Sequence, residues 1–383
     1  MNRLVFCFFS AQYLPTVGGV ERYTYNLAKQ MIAAGHRAIV VTSALHGLPD
    51  RETDENGIEL FRLPVFPLMK GRFPILKPNA RFFALTKALW AQKPDFCVIQ
   101  TRMYTSSVYA ALAARQRHIP AIVIEHSTGH MPMNHWLLNA LGGVYEHLAC
   151  RTIRRTGALF YGVSGDVCRW LDHFHVKAAG TLYNSVDPAA LAAIAESSDK
   201  DWRAALGLAP NTRLVAFVGR IIPEKGVEEL TRAFASLSLP DAALLVAGDG
   251  PQLPQLKEQP LPGVYYLGSI PYPETLRLLQ QASLYCLPTR YAEGFPTTLL
   301  EAAAMGCPIL STNTAGSAEL LPDESYGMRV ADNCPETLAP ALKKCLSGQD
   351  RRTAAQKTQE HLSRHFSWEA TAAKLLEIAQ GEM

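Results

Sequence analysis

Glu293-Gly294-Phe295-Pro296-Thr297-Thr298-Leu299-Leu300-Glu301, running on through Ala302-Ala303-Ala304-Met305-Gly306, follows an apolar run that ends at Leu287. The run reads as a short strand, and the stretch after it as a loop opening a helix. Pro296 fits the first helical position, where its missing N–H is no loss. The N–H groups of Thr297 and Thr298 then lack intrahelical acceptors, and with the helix dipole they form an anion site suited to a diphosphate. Glu293 lies in the loop, and Glu301 follows roughly 7–8 Å along the helix at ~1.5 Å per residue. Carboxylates so placed can grip a sugar hydroxyl and a ribose diol on either side of the phosphates. Small residues after Glu301 let the helix pack closely on a sheet. The two glutamates alone would read as an acidic helix start and a surface Glu; the whole string reads as a site.

The strand–turn–helix pattern around this stretch recurs along all 383 residues. Arg3 to Ser10, Arg37 to Thr42, Phe96 to Gln100, Ala121 to Glu125 and Ala158 to Val163 read as strands. Val20 to Ala34 reads as a helix, with Val20, Tyr23, Leu27, Met31 and Ala34 on one face and Gly35 as its terminator. A polar connection from Asn184 to Asn211 follows. The pattern then restarts, with strands at Leu214 to Val218, Ala242 to Ala247, Val264 to Leu267, Leu284 to Leu287 and Pro308 to Ser311. Such alternation implies α/β architecture, with parallel sheets covered on both faces by helices. A last helix, Phe366 to Ala379, has Ser367 as its expected N-cap.

Other turns at strand ends carry charge or glycine. Gly219-Arg220-Ile221-Ile222-Pro223-Glu224-Lys225-Gly226 sits where open α/β sheets bind ligands. Arg220 forks around oxygens and Lys225 acts as a point charge, so together they can neutralise a pyrophosphate. Val17-Gly18-Gly19-Val20-Glu21 permits a tight turn and close backbone approach to a phosphate, though it is not the GxGxxG fingerprint. Gly248-Asp249-Gly250-Pro251 is weaker, and simple turn chemistry explains it. His126 follows Glu125 at a strand end, where it could donate to a sugar hydroxyl or a phosphate; a structural role competes evenly with that reading.

Composition narrows the classes. No apolar run reaches the ~18–20 residues that span a bilayer. Met1 to Ser10 reads as a core strand and not a signal peptide. The eight cysteines lack CxxC spacing, so neither zinc nor a disulfide framework is expected. The simplest location is the cytoplasm. Asp199-Lys200-Asp201 falls in the connector, away from any strand end, and no metal site or cofactor is expected. The net charge of +3 hides an asymmetry, for residues 1–185 carry 20 Lys and Arg against 11 Asp and Glu. Leu60 to Pro94 holds Arg62, Lys70, Arg72, Lys77, Arg81, Lys87 and Lys93 and no acid, with Phe66, Phe73, Phe82, Phe83 and Trp90 interleaved. That segment suits an anionic membrane surface or a phosphate-bearing acceptor, with a solvated basic face as the competing reading. Nucleic acid is not expected as a partner, because no recognisable binding motif accompanies the charge.

These motifs together resemble the family-4 retaining glycosyltransferases. The resemblance covers nearly the whole chain, and the Glu-x7-Glu element from Glu293 to Glu301 is its most specific part. It implies the GT-B fold, with two Rossmann-like domains facing across a cleft: residues 1–185 on the acceptor side, 186–365 binding the nucleotide-sugar donor, and a helix over 366–383 crossing back. It implies that Arg220 and Lys225 hold the donor diphosphate. Gly18 and Gly19 would offer backbone to phosphate or sugar, Ile270 would lie beside the base, and Glu301 would bind the ribose. Glu293 and His126 would contact the donor sugar, and Gly294, Phe295, Thr297, Thr298 and Leu299 would line the phosphates. Many members carry Gly where Pro296 stands, which removes one N–H donor. The implied activity is metal-independent transfer of a hexose from a UDP- or GDP-sugar to a lipid-linked or polysaccharide acceptor, with the leaving phosphate assisting deprotonation. The competing readings are a catalytically silent nucleotide-sugar-binding subunit and a GT-B epimerase or phosphorylase.

Overall fold

A computed structural model describes residues 3–16, 18–45, 47–131, 135–291, 293–314, 316–348 and 351–382. The chain divides into two compact units, Met1–Asn184 with Trp368–Met383, and Ser185–Ser367.

The first unit is built on β1 (Val5–Phe9), β2 (Arg37–Ser43), β3 (Arg51–Thr53), β4 (Glu59–Leu63), β5 (Val65–Leu68), β6 (Phe73–Leu76), β7 (Phe96–Gln100), β8 (Ala121–Glu125), β9 (Leu159–Gly162) and β10 (Gly180–Thr181). Eight of these form one sheet in the order β10-β9-β8-β7-β1-β2-β4-β3. All its pairings are parallel except β3 with β4. From β4 to β9 the order is that of a doubly wound sheet, reversing between β1 and β7. β1, β2, β7 and β8 are apolar because helices cover both faces, burying Phe6, Phe8, Ile39, Val41, Val98, Ile99, Ile122 and Val123.

The first helix runs Gly19–Ala33 and buries Tyr23, Leu27 and Met31. Gly35, at φ +86°, ends it, leaving Ala34 exposed and outside the helix. The last helix, Trp368–Glu382, packs beside it, with the Trp368 and Tyr23 rings edge to face at 5.3 Å. The strand β4 and the antiparallel hairpin β5–β6 were not anticipated from the sequence.

The second unit carries β11 (Arg213–Val218), β12 (Ala242–Ala247), β13 (Val264–Gly268), β14 (Leu284–Leu287), β15 (Ile309–Thr312) and β16 (Met328–Val330). Their order is β13-β12-β11-β14-β15-β16, all parallel. This is again the doubly wound order, and its reversal lies between β11 and β14. Among the described residues, no helix is long and apolar enough to cross a membrane.

Candidate functional site

In the second unit, the turns after β11 and β14 meet at the reversal point. Backbone bonds stitch them together: the Arg290 N–H donates to the Glu224 carbonyl at 2.6 Å, and the Thr289 hydroxyl to the same oxygen at 3.3 Å. Gly226, at φ +71°, lies so close that a Cβ there would stand 2.3 Å from the Pro288 carbonyl oxygen. Only glycine satisfies both the positive φ and the contact. The turn after β12 locks onto the same assembly. A Cβ on Gly248 would fall 1.8 Å from the Gly219 oxygen, and the Ile221 N–H donates to the Asp249 carbonyl at 2.8 Å. Gly248-Asp249-Gly250, a weak signal in the sequence, is therefore part of the scaffold under Arg220.

On this scaffold stand the cations. Lys225 closes a 3₁₀ turn, Pro223–Lys225, and its ammonium is ion-paired with the Glu293 carboxylate. Burial, and then the neighbouring Arg220 guanidinium, pull the Lys225 ammonium down to about 8. Both cations flank the ring of Tyr291, Arg220 at 5.3 Å from its centroid and Lys225 at 5.6 Å. Tyr291 was absent from the sequence-based site. Arg220 and Ile270 line a cavity of about 320 Å³ with Gly219, Gly248, Asp249 and Thr275. Glu301, almost fully buried, accepts a 2.9 Å hydrogen bond from the Tyr272 hydroxyl, so Tyr272 is a second residue that sequence reasoning missed.

The helix carrying Glu301 runs Thr297–Ala304, which corrects the expected start. Pro296, at ψ 116°, is its N-cap and not its first helical residue. The first-turn amides therefore belong to Thr297, Thr298 and Leu299. The Leu299 N–H already reaches the Pro296 carbonyl at 3.2 Å, which leaves Thr297 and Thr298 as the better anion donors. The Phe295 side chain is buried against Phe366 and crowds Gly316, so any ligand contact from Phe295 must come from its backbone. The side chain of Leu299 is likewise buried.

Gly18, Gly19 and His126 belong to the first unit, at the carboxyl ends of β1 and β8. Val17 lies outside the described residues. Gly18 is the extended N-cap of the helix Gly19–Ala33. The Glu21 side chain folds back over it, placing Oε2 2.3 Å from where a Gly18 Cβ would be. Burial raises the Glu21 carboxyl, and a hydrogen bond from its own backbone N–H partly offsets that. A protein carboxylate thus already lies at this helix start. Gly19 differs: a Cβ there would meet nothing within 4 Å, so the fold itself does not require glycine.

The His126 ring packs edge to face on Tyr23 at 4.8 Å, and its Nε2 lies 2.7 Å from Gln100 Oε1. Burial pulls the ring down to about 4, against the opposing pull of Glu125. It is therefore uncharged at neutral pH and brings no positive charge to a phosphate. Gln100 occupies Nε2, which leaves Nδ1 as the ring nitrogen for any sugar contact. Glu125 is buried, which opposes its ionisation, but Arg102 at 2.7 Å holds its carboxyl below the usual range. Arg102 also pairs with Glu146 at 2.8 Å, and this buried triad fixes the end of β8.

The basic segment is less uniform than its sequence. Arg62 is buried and paired with Glu52, and Arg81 is paired with Asp50, both acids lying before the segment. Phe73 and Phe82 enter the core, whereas Phe66 and Phe83 are exposed. Asp201 caps the short helix Trp202–Ala205, so this member of the acidic pair in the connector has a structural use.

Residues 198–361 match the family Glycosyl transferases group 1, and residues 17–190 match Glycosyltransferase Family 4. An uncharacterized glycosyltransferase of Methanocaldococcus jannaschii is 21% identical, covering 99% of this chain and 98% of its own. The alpha-maltose-1-phosphate synthase of Mycolicibacterium smegmatis is 26% identical over 73% of this chain and 78% of its own. Anabaena HepE, solved with UDP, superimposes with a TM-score of 0.72 at 19% identity, over 99% of this chain and 100% of its own.

Proposed function

The chain belongs to the family-4 glycosyltransferases of the GT-B fold, and from that membership we propose that it transfers a hexose from a UDP- or GDP-sugar to an acceptor hydroxyl with retained anomeric configuration. The observation that carries this is the gathering of Arg220, Lys225, Tyr291 and Glu293 at the β11–β14 reversal, beside the cavity lined by Ile270. Charge develops on the leaving diphosphate, so Arg220, Lys225 and the Thr297–Thr298 amides stabilise the transition state more than the ground state. Glu293 positions the sugar, Glu301 and Tyr272 hold the ribose, and Ile270 packs on the base. The leaving phosphate assists deprotonation of the acceptor, and no metal takes part. UDP is favoured over GDP because Anabaena HepE, of like fold, was solved with UDP. Calorimetric titration with UDP and GDP tests the reading: a 1:1 isotherm for UDP supports it, and no heat with either nucleotide overturns it.

We further propose a lipid-linked or membrane-proximal glycan acceptor. The helix Trp136–Arg154 of the first unit exposes Leu137, Leu141, Val144 and Leu148 at helical spacing, with Trp136 at its start 75% exposed. Its last turn carries Arg151 and Arg154. An apolar stripe flanked by cations suits the interface of an anionic bilayer. The exposed Phe66, Leu68 and Phe83 lie in the same unit.

A further inference from the structure

Three histidines distant in sequence converge in the first unit. His130 lies in the loop after β8, His147 on the helix Trp136–Arg154, and His173 in the 3₁₀ turn Asp172–Phe174. One nitrogen from each lies within 4.8 Å of the others. We propose that His130, His147 and His173 form a site for a divalent late transition ion, Zn²⁺ above all, with solvent completing the coordination.

The geometry supports ligation at more than one level. His130 Nδ1 lies 2.9 Å from Glu146 Oε2. A carboxylate there accepts a hydrogen bond from Nδ1–H, which fixes the tautomer and leaves the Nε2 lone pair for a metal, the outer partner typical of metal-bound imidazoles. Arg102 anchors Glu146 from its other side. His130 Nε2 stands 3.1 Å from His173 Nε2. Two nitrogens on one tetrahedral Zn²⁺, each at ~2.0–2.1 Å, sit about 3.3 Å apart, so this pair needs little adjustment. The His173 ring is stacked on Trp170 at 4.8 Å and 11°, which holds its orientation. The His147 ring lies 4.9 Å from it. The Arg102 guanidinium beneath is itself paired with Glu125 and Glu146, which offsets its repulsion of a bound cation. Three imidazoles without a thiolate suit Zn²⁺, Cu²⁺ or Ni²⁺ over Mg²⁺ or Ca²⁺. The ion would tie three separate segments together and stabilise the folded first unit.

The tag-free full chain, stripped with EDTA and dialysed, is titrated with Co²⁺ and then Zn²⁺. One equivalent of Co²⁺ should give the visible absorption of a four-coordinate site, and Zn²⁺ should abolish it. Zn²⁺ should also raise the melting temperature. His147 and His173 are exposed, so His147→Asn and His173→Asn should fold, as circular dichroism will verify. Each should weaken Co²⁺ binding by more than the ~10–100-fold typical of a lost outer partner. His118→Asn, outside the cluster, should change nothing. No visible band at excess Co²⁺, or a band unchanged in both cluster variants, overturns the proposal.

Discussion

The Lys225 ammonium is paired with the Glu293 carboxylate, although 67 residues separate them in the chain. One follows β11 and the other β14, and the pair spans the point where the strand order reverses. A donor diphosphate would draw Lys225 away from that carboxylate, releasing Glu293 toward the sugar. Replacing Lys225 or Arg220 by Ala should therefore weaken binding of the nucleoside diphosphate by ~1.5–3 kcal/mol, the range for hydrogen bonds to charged groups. Calorimetry on the folded variants measures it, and unchanged affinity in both would remove the cations from the site.

The depressed Lys225 gives that affinity a pH dependence. With its ammonium pulled down to about 8, Lys225 is charged at pH 7 and loses its proton as pH rises through that value. Diphosphate binding should be level between pH 6.5 and about 7.5 and weaken progressively above 8, because the ligand must then recruit a proton. Arg stays charged throughout, so Lys225→Arg should flatten the profile. A wild-type profile already flat to pH 9.5 would contradict this.

Two glycines should part company. Gly226→Ala places a Cβ 2.3 Å from a backbone oxygen at positive φ and should cost about 2 kcal/mol or more in a denaturant titration. Gly19→Ala meets open space and should leave stability unchanged while impairing transfer. Full activity in Gly19→Ala would show that no ligand approaches that backbone.

Transfer should survive EDTA, because Arg220, Lys225 and the Thr297–Thr298 amides carry the charge a Mg²⁺ would otherwise supply. Loss of the histidine-bound ion should lower the melting temperature only. Abolition of transfer by EDTA, with rescue by Mg²⁺ or Mn²⁺, would be the opposite result.

Anionic liposomes should sediment the protein at low salt and release it as salt rises, each Lys or Arg near the surface contributing about 1 kcal/mol. Leu141→Glu with Leu148→Glu should abolish sedimentation, as should Lys70, Arg72 and Lys77 all changed to Gln. Sedimentation indifferent to both sets would leave the stripe and the basic segment as plain surface.

The doubly wound sheets were legible because their strands are continuous apolar runs bounded by Gly and Pro, a pattern that burial on both faces dictates. The β5–β6 hairpin was not, since its strands are short and lie outside the main sheet, and β4 was not because Glu59 and Arg62 interrupt its apolar run. Arg220, Lys225, Glu293 and Glu301 were legible as motifs, but Tyr291 and Tyr272 carry no local signal; only the crossing of chain segments brings them to those charges. The stripe from Leu137 to Leu148 has a clear helical period, and by default such a period is read as core. The histidines at 130, 147 and 173 follow no regular ligand spacing, so their convergence appears only in three dimensions.

Turnover of the donor itself tests the central claim most directly. Release of the matching nucleoside diphosphate, UDP or GDP, from a panel of UDP- and GDP-hexoses is followed with the wild type and with Glu293→Gln, without added acceptor. The expected result is slow hydrolysis of at least one UDP-hexose by the wild type, lost in Glu293→Gln while UDP affinity persists. Tight nucleotide binding with no release from any donor, even when candidate lipid or glycan acceptors are supplied, would mark the chain as a silent binding subunit and contradict the transferase assignment.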